Sequence, residues 1–255
     1  MDINGAIAIV TGAASGLGNA TARSFVENGA TVFGLDLGSS IEKAKEQGID
    51  QGITLIECDV TSEEQVTAAI KQATEAGPLR VVINCAGIAP AARILSKRGV
   101  HSLESFQTAV NVNLVGTFNV MRLTAEAISQ TEPMDEDGQR GVIINTASVA
   151  AYEGQIGQIA YAASKGGVYS MGLSAARDLS QFGIRVNTIA PGVIETPMMA
   201  GLNPEFQKTL EASVPFPSRL GRPDDYAKLA NSIIDQDYIN GESFRMDGAL
   251  RMAPR

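Results

Sequence analysis

The sequence predicts a single α/β domain, residues 1–255, doubly wound about a parallel sheet of about seven strands in the Rossmann manner. Three observations lead there. Short runs rich in β-branched residues are apolar almost throughout, as strands covered on both faces must be. The stretches between them are long enough for crossover helices rather than hairpins. A hydrophobic fraction of 44% in 255 residues is enough to bury such a sheet.

In chain order the strands are AIAIV (6–10), TVFGLD (31–36), ITLIECDV (53–60), RVVINCAG (80–87), GVIINTAS (141–148), IRVNTIAP (184–191) and ESFRMDG (242–248). The first helix is NATARSFVENG, directly after a glycine-rich turn. Thr61, with Glu64 three residues on, reads as a capping box that opens the helix after the third strand. Asn113, in NVNLVGTF (111–118), falls mid-helix by pattern although asparagine is a modest helix former. The polar stretch TEPMDEDGQR (131–140) reads as a solvated loop before the fifth strand, and AYAASKGGVYSMGLSAARDL as the helix after it. No repeat or linker divides the chain.

A net charge of −8, from 20 basic and 28 acidic residues, argues against a nucleic-acid or anionic-membrane footprint over the whole surface. No stretch reaches the roughly 20 apolar residues of a spanning helix, and MDINGAIAIV carries no basic leader. A cytoplasmic location is expected, or the mitochondrial matrix if the source is eukaryotic. Cys58 and Cys85 are isolated and His101 is the only histidine, so no metal site is expected.

TGAASGLG (11–18) lies between the first strand and first helix, the context in which a glycine loop cradles phosphates. Gly12 permits the tight turn, Gly16 a close backbone approach to a pyrophosphate, and Gly18 close helix packing. Ser15 and Leu17 complete the candidate contacts of this loop. A plain turn would look the same without a second feature. Asp36 supplies one: it ends the second strand about 20 residues on, where a carboxylate accepts hydrogen bonds from adenosine ribose hydroxyls. It would repel a 2′-phosphate, and neither Ser15 nor Leu37 offers a cation to such a group, so NAD is expected rather than NADP. Asp59 and Val60, then Cys85, Ala86 and Gly87, end the next two strands at the edge where ligands bind in open α/β sheets. Asp59 could equally begin a helix, and Cys85 could be a small buried residue.

Ser148 closes the fifth strand at that same edge. Tyr161 and Lys165 follow at i and i+4 on one helical face. A phenol with a pKa of about 10 is a poor base at neutral pH. An ammonium ~4 Å away, at an effective dielectric of ~20, would favour the phenolate by roughly 4 kcal/mol before desolvation is counted. At ~1.36 kcal/mol per pKa unit, that lowers the phenol by about two to three units, and a nicotinamide cation would add to it. Tyr152 and Tyr169 are rivals, yet helical side chains lean toward the N-terminus, which brings Lys165 back toward Tyr161.

Together TGAASGLG, Asp36, NCAG (84–87), Asn113, Ser148, YAASK and PGVIETP (191–197) resemble the short-chain dehydrogenase/reductase family along essentially the whole chain. That resemblance implies a catalytic tetrad of Asn113, Ser148, Tyr161 and Lys165. Tyr161 would act as acid/base and Ser148 would hydrogen-bond the reacting oxygen. Lys165 would lower the tyrosine pKa and hold the nicotinamide ribose, and Asn113 would hold a relay water. Pro191, Ile194 and Thr196 would lie along the cofactor, the last two at its carboxamide. The segments 94–107, 138–167, 214–227 and 240–252 further resemble a branch that oxidises short 3-hydroxyacyl-CoA thioesters with NAD, turns over some steroid alcohols and forms homotetramers. Gln155 matches a substrate-side glutamine there. Tyr152 and Ile194 depart from that branch, at a phenylalanine and at an aromatic beside the nicotinamide.

The segment Met198 to Phe216, with Met198, Met199, Leu202, Phe206, Leu210 and Val214, is apolar enough to cover an acyl chain or to pack as ordinary helices. Lys97, Arg98, Lys208, Arg219 and Arg222 are candidates for CoA phosphates or plain surface charges. Two other readings are a steroid or small secondary-alcohol dehydrogenase and a non-catalytic, NAD-binding scaffold. The phenol–ammonium pair weighs against the scaffold. A hydrolase is disfavoured because Ser148 lies in TASVA rather than a G-x-S-x-G elbow.

Overall fold

In the computed structural model the described residues are 1–97, 99–197 and 204–254, the side chains of 204–207 excepted. The first half runs β1 (Ile7–Thr11), α1 (Gly16–Glu27), β2 (Thr31–Asp36), α2 (Gly38–Gln47), β3 (Ile53–Glu57), α3 (Glu63–Glu75) and β4 (Leu79–Asn84). A two-residue hairpin, β5 (Leu95–Ser96) with β6 (Gly99–Val100), leads into α4 (Leu103–Val110). The chain then passes through a π-helical turn, Asn111–Val115, into α5 (Gly116–Ser129). The remainder is β7 (Gly141–Thr146), α6 (Ile159–Leu179), β8 (Ile184–Pro191), α7 (Pro204–Ala212), α8 (Pro223–Asp235) and β9 (Ser243–Met246).

The main sheet has seven strands in the order β3-β2-β1-β4-β7-β8-β9, every pair parallel. Alternate residues of each strand face opposite layers. Ile7, Ile9, Val82, Ile143 and Val186 pack with α3, α5 and α6, whereas Ala8, Val10, Val81, Ile83 and Ile144 pack with Phe25 of α1 and Tyr226 and Ile233 of α8. The winding direction reverses between β1 and β4, which opens a crevice at their carboxyl ends. Among the described residues, no helix is long and apolar enough to cross a membrane.

All seven expected strands form, each starting within one residue of its expected position. Four stop short: β3 at Glu57, β4 at Asn84, β7 at Thr146 and β9 at Met246. The residues beyond them leave the ladder and become loops at the carboxyl edge, where their side chains can serve a site. Helix α3 is capped by Ser62, whose hydroxyl accepts from Gln65 N, not by Thr61 as the capping-box pattern indicated. Thr61 instead donates its hydroxyl to Asp59 Oδ1 at 2.8 Å. The β5–β6 hairpin is too short to leave a periodic signal, and the sequence pattern did not reveal it.

Candidate active site

The loop after β1 is shaped by its glycines. Gly12 and Gly16 both have positive φ, +68° and +53°, a region that glycine enters without strain. A Cβ on Gly12 would come within 2.9 Å of Ala86 N, so the loops after β1 and β4 approach backbone to backbone. Thr11 joins them: its hydroxyl accepts from Cys85 N at 3.1 Å and Ala86 N at 3.0 Å. A Cβ on Gly18 would overlap Gly12 O, which is the close helix packing expected of that position. The N-cap of α1, Ser15, makes no side-chain capping bond and the first turn carries no acid. The dipole end of α1 is therefore uncompensated by its own side chains and aimed at the crevice, as an anion site requires. Across from it, a Cβ on Gly16 would reach within 3.5 Å of Thr196 Cγ2.

Asp36 is held in place. Its Oδ2 accepts from Ala14 N at 2.9 Å and its Oδ1 from Leu37 N at 2.8 Å, so the carboxylate is locked against the glycine loop at the end of β2. Asp59 Oδ1 accepts from Thr61 N and Oγ1 in the turn before α3, whose N-cap is Ser62, and Val60 O accepts from Asn119 Nδ2 at 2.9 Å. On the other side of the crevice Pro191 ends β8, and Ile194, 7% exposed, bridges to Gly221.

Asn113 occupies the π-helical turn and is fully buried. Its Oδ1 accepts from Ile88 N, and its Nδ2 donates to Ile88 O and to Ser164 Oγ, at 2.8, 2.8 and 2.9 Å. Such single-turn π bulges concentrate at functional sites. Both side-chain N–H groups are committed within the protein, which leaves a relay water only acceptor atoms. The side chain ties the Gly87–Ile88 segment to α6. A Cβ on Gly87 would lie 3.0 Å from Asn113 Oδ1 and 3.5 Å from Lys165 Nζ, so a side chain here would crowd the Asn113 amide.

Ser148, Tyr161 and Lys165 converge at the carboxyl edge. Ser148 is buried beyond β7, where its Oγ accepts from Ala150 N at 3.1 Å, and its hydroxyl lies near enough to the Tyr161 phenol to favour the ionised form. Lys165, 4% exposed, donates Nζ to Thr146 O at 2.7 Å and lies 5.9 Å from the Tyr161 ring centroid. Burial brings Lys165 down to about 8, a nearby Cys85 opposing. Burial also pushes the Tyr161 phenol up, with the nearby Ser148 hydroxyl acting the other way. The lowering expected from Lys165 is the one before desolvation is counted; with burial included, the phenol without a nicotinamide cation is raised. The ammonium donates to the Thr146 carbonyl, and burial is the dominant influence on the phenol. The rival tyrosines lie elsewhere: Tyr152 and Tyr169 pack edge-on at 5.0 Å, both about 40% exposed, and Arg245 covers Tyr152.

Other expected residues serve different purposes. Gln155 donates Nε2 to Ala253 O at 2.9 Å, so its amide is taken up by the C-terminal tail rather than by the Ser148–Tyr161 pair. The same tail is held by Glu153, which accepts from Met252 N and pairs with Arg245. Arg219 is paired with Asp225 at 2.7 Å and is not a free cation. Arg98, Met198, Met199 and Leu202, and the side chain of Phe206, lie outside the described residues. Thr11, Ile88, Thr146 and Ser164 join the site without having been singled out in the sequence. Thr11 lies inside the glycine-loop run, Thr146 near the end of GVIINTAS and Ser164 inside YAASK, so each had a signal; Ile88 had none.

A crevice outside β1 and β4, a glycine loop at a helix start and a serine–tyrosine–lysine cluster define a nucleotide-linked oxidoreductase. The chain belongs to the short-chain dehydrogenase/reductase family, whose members work with a nicotinamide cofactor on small molecules. The family model described as enoyl-(acyl carrier protein) reductase matches residues 12–250. The chain is 51% identical to 3-hydroxyacyl-CoA dehydrogenase type-2 of Bos taurus over 255 residues, 99% of this chain and 97% of the bovine one. It is also 51% identical to the protein of that name from Drosophila melanogaster, over 99% of this chain and 100% of the fly one. The crystal structure of 3-hydroxyacyl-CoA dehydrogenase type-2 from Mycobacterium avium superposes with a TM-score of 0.92 at 44% identity, covering 98% of each chain.

Proposed function

We propose that the protein oxidises 3-hydroxyacyl-CoA thioesters to 3-oxoacyl-CoA with NAD, Tyr161 acting as the base. The observation that carries the reading is the Ser148–Tyr161 hydroxyl pair beside buried Lys165, at the crevice edge next to the glycine loop. The substrate class rests on the relatives named above. A homotetramer, away from membranes, belongs to the same reading; Phe118 of α5 and Leu173 of α6 are exposed apolar side chains that a second copy would cover.

The residues present fit a dinucleotide. Gly12, Ser15, Gly16, Leu17 and Gly18 would take the pyrophosphate at the start of α1, with Asp36, Asp59 and Val60 at the adenosine end. Cys85, Ala86 and Gly87 would line the middle, and Tyr161, Lys165, Pro191, Ile194 and Thr196 the nicotinamide end. A bound oxidised nicotinamide supplies the hydride acceptor and a positive charge beside the phenol. Ser148 Oγ and Tyr161 Oη share the alcohol oxygen of the substrate, which fixes its carbon. Once deprotonated beside that positive charge, Tyr161 would accept the hydroxyl proton as phenolate while the carbinol hydride leaves for the nicotinamide and the carbonyl forms. Lys165 holds a positive charge on the far side of the phenol, and Asn113 keeps the Gly87–Ile88 loop in register with α6.

Because Asp36 is fixed by two backbone amides, it cannot swing away from a 2′-phosphate. Asp36→Ala is therefore expected to narrow the NAD:NADP ratio of kcat/KM by roughly tenfold, since removing one charge from a half-exposed site is worth about 1–2 kcal/mol. An unchanged ratio would leave Asp36 only its loop-fixing role. The function itself is tested by NADH formation with a panel of 3-hydroxyacyl-CoA thioesters, steroids and simple secondary alcohols. A preference for steroids or simple alcohols over every thioester would reject the substrate class, and no turnover of any would leave the scaffold.

A further inference from the structure

Helix α8 lies on the opposite side of the sheet from α6, yet one of its side chains reaches the catalytic edge. Its other buried residues, Ala227, Ala230, Ile233 and Ile234, are apolar. Tyr226 is fully buried among them, and a phenol in such a place is destabilising unless its hydroxyl is paired. The hydroxyl lies 2.7 Å from Thr146 Oγ1, and Thr146 Oγ1 lies 3.4 Å from Cys85 Sγ. Thr146 is the last residue of β7. Its carbonyl accepts the Lys165 ammonium, and Ser148 follows two residues on.

We infer that Tyr226 is a positioning residue for hydride transfer: by holding Thr146 from behind the sheet, it keeps the Thr146 carbonyl, and with it the Lys165 ammonium, in place beside Tyr161. The inference rests on the reading of Tyr161 and Lys165 given above. The titratable groups facing Lys165 are Cys85, from the loop after β4, and Tyr161, from its own helix. Tyr226 stands behind Cys85 and Thr146. A strand end left free to shift would move the anchor of Lys165 and the hydroxyl of Ser148 together.

The test is kcat and the pH dependence of kcat/KM, from about pH 6 to 10, for variants that remove single atoms from this chain of contacts. Tyr226→Phe is expected to lower kcat about fivefold, the size of one lost hydrogen bond, and to move the rising limb of kcat/KM to higher pH while KM for NAD stays unchanged. Thr146→Val should do the same, Thr146→Ser should retain the wild-type profile, and Tyr226→Phe with Thr146→Val should lose no more than either alone. A wild-type kcat and pH profile in Tyr226→Phe and Thr146→Val would overturn the inference whatever happens to Tm, and so would additive losses. Should Tyr226→Phe fail to fold, the two Thr146 variants decide by the same criteria. Tyr161→Phe, run alongside, separates the two failures: if it keeps its turnover the base assignment is wrong, and if it is dead while Tyr226→Phe is normal only the positioning role falls.

Discussion

Tyr161→Phe is expected to lower kcat by roughly 10²- to 10⁴-fold, the usual contribution of a positioned acid/base, while NADH binding stays within about twofold of wild type. The substitution removes one oxygen and leaves the ring to pack beneath Lys165. What disappears is a hydroxyl that lies beside Ser148, on the ring that packs against the buried Lys165 ammonium. No histidine could replace it: His101, the sole one, has Nδ1 on Ser102 O and its ring against Phe106 at the start of α4. Tyr152 and Tyr169 are occupied with each other on the surface. The measurement is steady-state turnover together with NADH fluorescence on binding. Turnover within tenfold of wild type would remove Tyr161 from the chemistry, and a matching loss of NADH binding would make its role one of cofactor binding instead.

Much of this site was legible in the sequence because its positions are dictated by strand ends and helical spacing. The continuous apolar runs located all seven strands; Asp36 ends β2 as expected, whereas Cys85 and Ser148 lie just past the ends of β4 and β7, at the same carboxyl edge. The i, i+4 spacing and the lean of helical side chains selected Tyr161 over its rivals. What the pattern could not give was three-dimensional partnering. Asn113 looked like an odd residue in an ordinary helix; the structure places it in a π turn where its amide joins two segments far apart in sequence. Tyr226 was not singled out, and nothing in its sequence neighbours announces a hydrogen bond through the sheet to Thr146.

The electrostatics show the same limit in a different form. Spacing alone gave a phenol–ammonium attraction large enough to lower the tyrosine by units. Burial, which spacing does not report, moves both groups toward their neutral forms and leaves Tyr161 raised and Lys165 at about 8. The fold thus keeps a lysine that is charged at neutral pH but close to losing its proton. It does so by surrounding it with Thr146 O, Cys85 and the Tyr161 ring instead of a carboxylate.

That arrangement carries a stability penalty that can be measured. A drop from the ordinary 10.5 to about 8 for a fully buried ammonium corresponds to roughly 3 kcal/mol against the folded state at neutral pH. Lys165→Met keeps the length of the side chain and removes the charge. It leaves Thr146 O without its donor, a loss of about 1 kcal/mol, so the net expectation is a gain of about 2 kcal/mol. For a chain of this size the cofactor-free Tm should rise by about 4–8 °C, while kcat falls by roughly 10²-fold or more. The pH dependence fixes the cause. Below about 8 the lysine is protonated in both folded and unfolded chains, and the penalty is complete. Between about 8 and 10.5 the folded chain releases its proton first, the unfolded chain binds more protons, and wild-type stability rises relative to the variant; above that window the charge penalty is gone. Denaturant unfolding of the two proteins at pH 7, 9 and 10.5 measures the difference directly. If Lys165→Met is less stable than wild type at pH 7, the ammonium is a net stabilising contact and the opposition between charge burial and catalysis at this position does not exist.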